Sequence, residues 1–362
     1  MLENDFMQVN NDQIVMLERL CNACAVSGDE GEVRSIVLEQ VQPVADEVSV
    51  DPMGNVLAKR YGAGERRMRV MVAAHMDEVG LMLTNDEGDG VFRFETVGGI
   101  AAQQLPAKEM SIGNDHIPGI VGAVPIHLTS LSERQKDIPL DNMRIDVGTE
   151  NAGKVKIGDR AVFATKFHQQ GNSISAKAID DRIGVAILLR LFTNPPPNID
   201  LFAAFTVQEE VGLRGARVAA FALDPDLAVA LDCTPANDLP GWDEGEDQWA
   251  KNTRYNTRLG EGAAIYVADR GTLSDPRLVS HFVKIAEETG ISYQFRQPGG
   301  GATDAGAIHT QRSGIPSISV SVPARHIHTA VAIARISDWE NTQKLIFHSL
   351  TGITRDSLNR NG

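Results

Sequence analysis

Acidic and histidine side chains follow the apolar, strand-like stretches of this sequence. Ligands of open α/β sheets collect beyond the carboxyl ends of the strands, so we expect these side chains to converge on one crevice. The stretches and the residues that follow them are 70–74 with His75, Asp77 and Glu78; 174–179 with Asp180 and Asp181; 201–207 with Glu209 and Glu210; 227–231 with Asp232; and 315–322 with His326 and His328. Any one of these groups alone is typical of a solvated or capping side chain, whereas five at strand ends indicate a shared site.

The residue types favour two divalent cations. Two histidines and several carboxylates, with no cysteine among them, suit Zn, Co or Mn. One carboxylate can bridge a metal pair separated by about 3.5–4 Å, the spacing of two-metal hydrolytic sites. A water molecule bridging the pair would lose a proton near neutral pH and attack a carbonyl. The pattern therefore predicts metal-assisted hydrolysis.

Neighbouring residues in these groups should have different tasks. At the end of an extended strand, adjacent side chains point in opposite directions, so one of Glu209 and Glu210 can bind metal while the other acts as a base. His75 and Asp77 are two residues apart and share a face. Asp77 can then accept the imidazole proton that is not used for coordination, which fixes the tautomer.

The elements that must position these groups predict an α/β protein with an insertion. Residues 12–43 have the periodicity of two helices, with Cys21 and Cys24 together on the core face of the first. From about residue 83, short alternating segments separated by Gly- and Asp-rich turns predict an all-β module that ends near residue 172. Alternation of helices and strands then returns. We expect residues 1–82 and 173–362 to form one α/β domain and residues 83–172 an inserted β domain.

Composition and charge indicate which partners and which cellular compartment to expect. The chain has 362 residues, 42% of them hydrophobic, and a formal net charge of −14, which disfavours nucleic acid as a partner. Three cysteines are too few for a disulfide framework and favour a reducing compartment. No basic, apolar leader and no uninterrupted apolar stretch of about 18 residues is visible. We expect a cytoplasmic protein that does not bind membranes.

Several motifs resemble those of the M42 family of metallo-aminopeptidases, which includes glutamyl aminopeptidases and the tetrahedral TET aminopeptidases. They are AAHMDEVG (73–80), AIDDRIG (178–184), FTVQEEVGLRGAR (205–217), ALDCTPAND (230–238), PGGGATDAGAIH (298–309) and HIHT (326–329). The resemblance covers nearly the whole chain. It implies a mixed sheet flanked by helices, as in di-zinc exopeptidases, with an inserted PDZ-like or barrel-like dimerisation domain.

The resemblance also implies roles for individual residues. His75 and Asp232 would bind one metal, Glu210 and His328 the other, Asp180 would bridge them, Glu209 would be the general base and Asp77 would orient His75. A cis peptide is implied after the bridging aspartate, and the choice of Asp180 over Asp181 as that bridge rests on similarity to the wider di-zinc exopeptidase group. The implied activity is removal of N-terminal residues from peptides, in dimers that can build hollow dodecamers.

Two questions stay open at this point. The loop with Gly300 and Gly301 can bring its backbone close to a bound peptide, and Asp304 can either bind a substrate α-ammonium or cap the following helix. The same two-metal site could instead serve a deacylase or a dipeptidase, and a non-catalytic assembly protein could retain the fold.

Overall fold

The computed structural model describes residues 8–64, 67–132, 136–239, 257–296 and 300–359. The helices are α1 (Asn11–Asn22), α2 (Gly31–Val41), α3 (Ile179–Thr193), α4 (Arg214–Leu223), α5 (Pro276–Thr289), the single turn α6 (Ala305–Ile308) and α7 (Ile336–Gly352). The strands are β1 (Glu47–Val50), β2 (Val56–Arg60), β3 (Met68–His75), β4 (Gly80–Gly88), β5 (Val91–Val97), β6 (Glu109–Ile112), β7 (Ile117–Gly122), β8 (Arg144–Asp146), β9 (Arg160–Phe163), β10 (His168–Gln170), β11 (Ser173–Ala176), β12 (Ile199–Thr206), β13 (Leu227–Pro235), β14 (Ala263–Tyr266), β15 (Tyr293–Arg296), β16 (Ser317–Arg325) and β17 (Ala332–Arg335).

A mixed sheet of eleven strands is the framework of the larger domain. Its order is β1-β2-β12-β3-β13-β16-β17-β11-β10, with β14 hydrogen-bonded to β16 and β15 to β14. The central strands β12, β3, β13 and β16 are parallel. Val70 and Val72 of β3 pack into one core, whereas Met71 and Ala73 pack into a second. The sheet is therefore covered on both faces, as its continuous apolar strands predict, and its parallel carboxyl ends meet at one edge.

The two predicted N-terminal helices are present. A capping box of Asn10 and Gln13 begins α1, and Leu17, Leu20 and Cys21 are buried. The placement of Cys24 on the same helix was wrong, because α1 ends at Asn22. No helix in the described ranges is long and apolar enough to cross a membrane.

The inserted strands form a closed barrel. Its order is β4-β5-β8-β7-β6-β9, and its apolar interior is a separate cluster. The fold class, a mixed sheet flanked by helices with an inserted all-β barrel, is thus confirmed. The barrel strands extend from Gly80 to Phe163, whereas the predicted insertion was 83–172. Residues 168–170 pair with β11 in the large sheet, because the chain has already returned to the α/β domain there.

A buried ion cluster joins the end of β3 to the start of α3. The Glu78 carboxylate accepts hydrogen bonds from Lys177 Nζ at 2.7 Å and from Arg182 Nη2 at 2.9 Å. The same cations donate to the carbonyls of Ala23 and Leu20, at the end of α1. All three ionic side chains are almost completely buried. The cluster thereby holds in place the backbone next to Asp77 and Asp180.

Glu78→Gln should lower the free energy of unfolding by about 3–5 kcal/mol, because it leaves two buried cations without their anion. Denaturant unfolding followed by circular dichroism measures this. Glu47→Gln is the control, since it breaks an exposed contact with Lys59 that water already screens, and it should change stability little. Equal losses of unfolding free energy in the two variants would show that the buried cluster stabilises the fold no more than an exposed ion pair does.

Candidate metal centre

Separate elements bring six side chains to one cavity of about 760 Å³. They are His75 at the end of β3, Asp180 in the first turn of α3, Glu209 and Glu210 after β12, Asp232 in β13, and His328 after β16. Their convergence follows from the parallel central strands, whose carboxyl ends share an edge.

Asp180 lies between the two imidazole rings. Its Oδ1 is 3.3 Å from His75 Nε2, and its Oδ2 is 3.5 Å from His328 Nε2. His75 Nε2 is also 3.8 Å from Asp232 Oδ1, and His328 Nε2 is 3.5 Å from Glu210 Oε2. The centre therefore has two halves, each with one imidazole and one further carboxylate, and a single aspartate offers one oxygen to each half.

Backbone carbonyls set the tautomer of both histidines. His75 Nδ1 is 3.1 Å from the carbonyl oxygen of Asp77, and His328 Nδ1 is 3.0 Å from that of Gly99. A carbonyl oxygen only accepts, so Nδ1 carries the hydrogen in each ring. In the neutral ring, Nε2 then directs its lone pair toward the carboxylates, which is the arrangement of a metal ligand.

Asp77 anchors the loop that carries the two glutamates. Its Oδ1 accepts the backbone N–H of Glu209 at 3.0 Å, and its Oδ2 accepts that of Glu210 at 3.2 Å and the hydroxyl of Ser27 at 2.6 Å. Burial opposes its charge, but the neighbouring His75 ring and the hydrogen bonds from Ser27 and the Glu209 N–H hold the pKa of Asp77 below its usual range. Its carboxylate is 3.5 Å from His75 Nδ1, farther than its own carbonyl oxygen. Asp77 thus links the His75 half of the centre to the glutamate loop.

The adjacent aspartates differ in what their oxygens contact. Asp181 is fully buried, and its two oxygens accept the backbone N–H groups of Gly184 at 3.1 Å and His75 at 3.3 Å. Asp180 instead lines the cavity. The peptide bond between them is cis, as the resemblance implied. Of the two aspartates, Asp180 is therefore the one whose carboxylate is turned to the cavity.

The carboxylates of the centre repel one another in a buried environment. Burial raises the pKa of Glu210 to about 8 and that of Asp232 to about 7, and in both cases the charge of Asp180 raises it further. Burial together with the neighbouring carboxylates also raises the pKa of Glu209 well above its usual range. Two divalent cations would supply the positive charge that lets these groups ionise together. His75, Asp180 and Glu210 already offer ligand atoms within 4.8 Å of one another.

Of the three residues predicted to bind substrate, two line the cavity and one does not. Gly300 and Gly301 line the cavity, and Arg296 Nη2 donates to the carbonyl of Gly300 at 3.2 Å. Asp304 is buried outside the cavity lining, where its Oδ2 accepts the Thr206 hydroxyl at 2.5 Å. Its side chain does not cap α6. Residues 298 and 299, which begin this motif, lie outside the described ranges.

Sequence reasoning missed two positioning residues. Gly99 supplies the carbonyl that orients His328, and a Cβ atom at this position would lie 3.2 Å from the His328 ring. Ser27 donates to Asp77 from a turn between α1 and α2. The glycine pair at 98–99 was the only signal for the first, and no local signal connects Ser27 with residues fifty positions away.

A family model and the sequences of known proteins point to the same family. Residues 54–345 match the family described as M42 glutamyl aminopeptidase. A putative aminopeptidase of Acetivibrio thermocellus is 35% identical over 94% of this chain and 98% of its own length. The lysyl aminopeptidase of Pyrococcus furiosus is 32% identical over 91% of this chain and 94% of its own length.

Solved structures show the same similarity. A TET aminopeptidase from a marine sediment archaeon, Thaumarchaeota archaeon SCGC AB-539-E09, superposes with a TM-score of 0.88 and 32% identity, covering 96% of this chain and 99% of that one. The TET1 peptidase of Pyrococcus horikoshii, described as able to assemble into a tetrahedron or a large octahedral shell, gives a TM-score of 0.80 and 30% identity, covering 94% of this chain and all of that one.

Proposed function

The chain belongs to the M42 glutamyl aminopeptidase family and is an aminopeptidase, and on that premise we propose that it cleaves peptides with two divalent metal ions and Glu209 as the general base. The observation that carries this proposal is the position of Asp180, with one carboxylate oxygen toward each of two imidazole nitrogens in a cavity lined by further acids.

The donor set divides into two metal positions. His75 and Asp232 would hold one ion, His328 and Glu210 the other, and Asp180 would bridge them. Imidazole and carboxylate ligands without sulfur suit Zn, Co or Mn equally. When bound, two such ions activate water as a nucleophile and stabilise the negative charge that develops on a peptide carbonyl.

Glu209 would move the proton. It is nearly buried and lines the same cavity, beside the His75 and Asp232 half of the centre. Its raised pKa suits a group that takes a proton from water and delivers it to the leaving amine. Asp77 holds the backbone N–H of Glu209 and thereby positions this base against the metal ligands.

The cavity lining and the similar proteins support proposals on substrate and assembly. Gly300 and Gly301 present backbone to the cavity, which suits a peptide chain close to the metals. We propose a homo-oligomer, in line with the assemblies described for the similar TET1 peptidase. Membership of the family does not determine the preferred N-terminal residue, because relatives of similar identity include a lysyl aminopeptidase. A cytoplasmic location remains a prediction from the three free cysteines.

Asp180→Asn should remove the bridging charge and lower the metal content by one to two ions per chain. Asp181→Asn is the matched control, because both oxygens of Asp181 are already used by backbone N–H groups, and it should retain metal. Plasma mass spectrometry on folded, gel-filtered protein measures both. Metal loss in the Asp181 variant alone would assign the bridge to the other aspartate.

Glu209→Gln should lower kcat for peptide hydrolysis by about 10²–10⁴-fold while both ions remain bound, because only the proton acceptor is lost. Glu210→Gln should instead lose metal. Release of the free N-terminal amino acid from an unblocked peptide is the assay, and the N-acetylated peptide tests for deacylase activity. Normal turnover by the Glu209 variant would reject its role as the base.

A further inference from the structure

A second group of metal-ligating side chains lies where the barrel meets the α/β domain. Cys24 follows α1, Glu32 is in the first turn of α2, and His116 is in the turn between β6 and β7 of the barrel. A thiol sulfur, a carboxylate oxygen and a ring nitrogen of these residues all lie within 4.8 Å of one another. None of the three lines the catalytic cavity.

Hydrogen bonds already orient the group. Glu32 Oε1 is 2.5 Å from His116 Nε2, and Glu32 Oε2 accepts the backbone N–H of Cys24 at 2.9 Å. Among the residues that the structure describes, the hydrogen-bond partner of the Cys24 sulfur is the Ser111 hydroxyl, at a long distance of 3.9 Å. Each side chain therefore directs a potential ligand atom toward the other two without a strong competing partner for the sulfur.

The surroundings leave space for a further ligand. A cavity of about 410 Å³ adjoins the group and is lined by Cys24 and Glu32 together with polar residues that include Asp29, Asn114 and the cationic Arg160, which donates to the carbonyl of Gly158. A water molecule in this cavity would complete a tetrahedral site. The exposed edge of the His116 ring gives an ion a path from solvent.

We propose that Cys24, Glu32 and His116 form a third metal site that holds a borderline-soft divalent ion such as Zn²⁺ and clamps the barrel to the α/β domain. One sulfur, one nitrogen and one oxygen are ligands that Zn²⁺ accepts in a four-coordinate site. On binding, the thiol releases its proton to solvent and the thiolate coordinates the ion. The ion would replace the direct contact between Glu32 and His116.

The simpler account is a partly exposed ion pair between Glu32 and His116 with a thiol nearby by chance. The two accounts differ in one observable, which is a bond between sulfur and metal. The ligands proposed for the catalytic centre contain no sulfur. Cys233 lines the catalytic cavity and lies near Asp180 and Asp181, so a thiolate signal is assigned to the third site by comparing variants of Cys24 and Cys233. The assignment does not depend on the two-metal mechanism or on peptide hydrolysis.

The test uses the full-length protein loaded with Co²⁺, which replaces Zn²⁺ and gives a near-ultraviolet charge-transfer band when a thiolate binds it. The wild-type protein should show this band, and Cys24→Ser should lose it together with one ion per chain by plasma mass spectrometry. Cys233→Ala is the matched control, because Cys233 adjoins Asp232 and its sulfur lies 3.4 Å from the carbonyl of Ile179, and it should retain the band.

His116→Ala provides a second variant in an exposed turn, where misfolding is not expected, and it should also bind one ion fewer. Circular dichroism and gel filtration establish that each variant is folded. Equal metal content in wild type, Cys24→Ser and His116→Ala would overturn the proposal. So would a wild-type protein without the charge-transfer band, or a band that persists in Cys24→Ser.

Discussion

Repulsion among buried carboxylates is the constraint on which the rest of the site depends. Asp180, Glu209, Glu210 and Asp232 are all nearly buried around one cavity, whose lining offers two imidazoles and two arginines, Arg270 and Arg296, as positive counter-charge. Groups in such a position either keep protons or bind cations. The parallel strands and the start of α3 hold the acids together despite this cost, because packing on both faces of the sheet fixes their backbone.

Adjacent acids are divided between structure and chemistry. In the Asp180–Asp181 pair, the second carboxylate accepts two backbone N–H groups while the first faces the cavity. Asp77 and Glu78 are both structural, because Asp77 holds the glutamate loop and Glu78 neutralises two buried cations. Of these four acids, Asp180 faces the cavity and the other three serve to position the site. A variant without the positioning acids would keep the side chains that could bind metal but would lose their arrangement.

Much of the fold and of the site could be predicted from the sequence, because both depend on local patterns. Apolar strands such as 70–74 and the acids that follow them can be recognised in the sequence. Because the strands are parallel, their carboxyl ends lie together and the acids form a cluster. Contacts between distant segments are not visible in this way. The carbonyl of Gly99 reaches His328 across the junction with the barrel, and the choice of Asp180 over Asp181 depends on which oxygens backbone N–H groups already use. Cys24 was misplaced because helical periodicity continues past the residue at which α1 ends.

The most direct test of the central claim is a crystal structure of the zinc-loaded protein with anomalous scattering recorded at the zinc absorption edge. The account predicts two peaks in the catalytic cavity about 3.5–4 Å apart. One carboxylate oxygen of Asp180 should lie about 2.0–2.2 Å from the first peak, and its other oxygen should lie at the same distance from the second peak. A single peak in this cavity, or a pair of ions that Asp180 does not touch, would contradict the account.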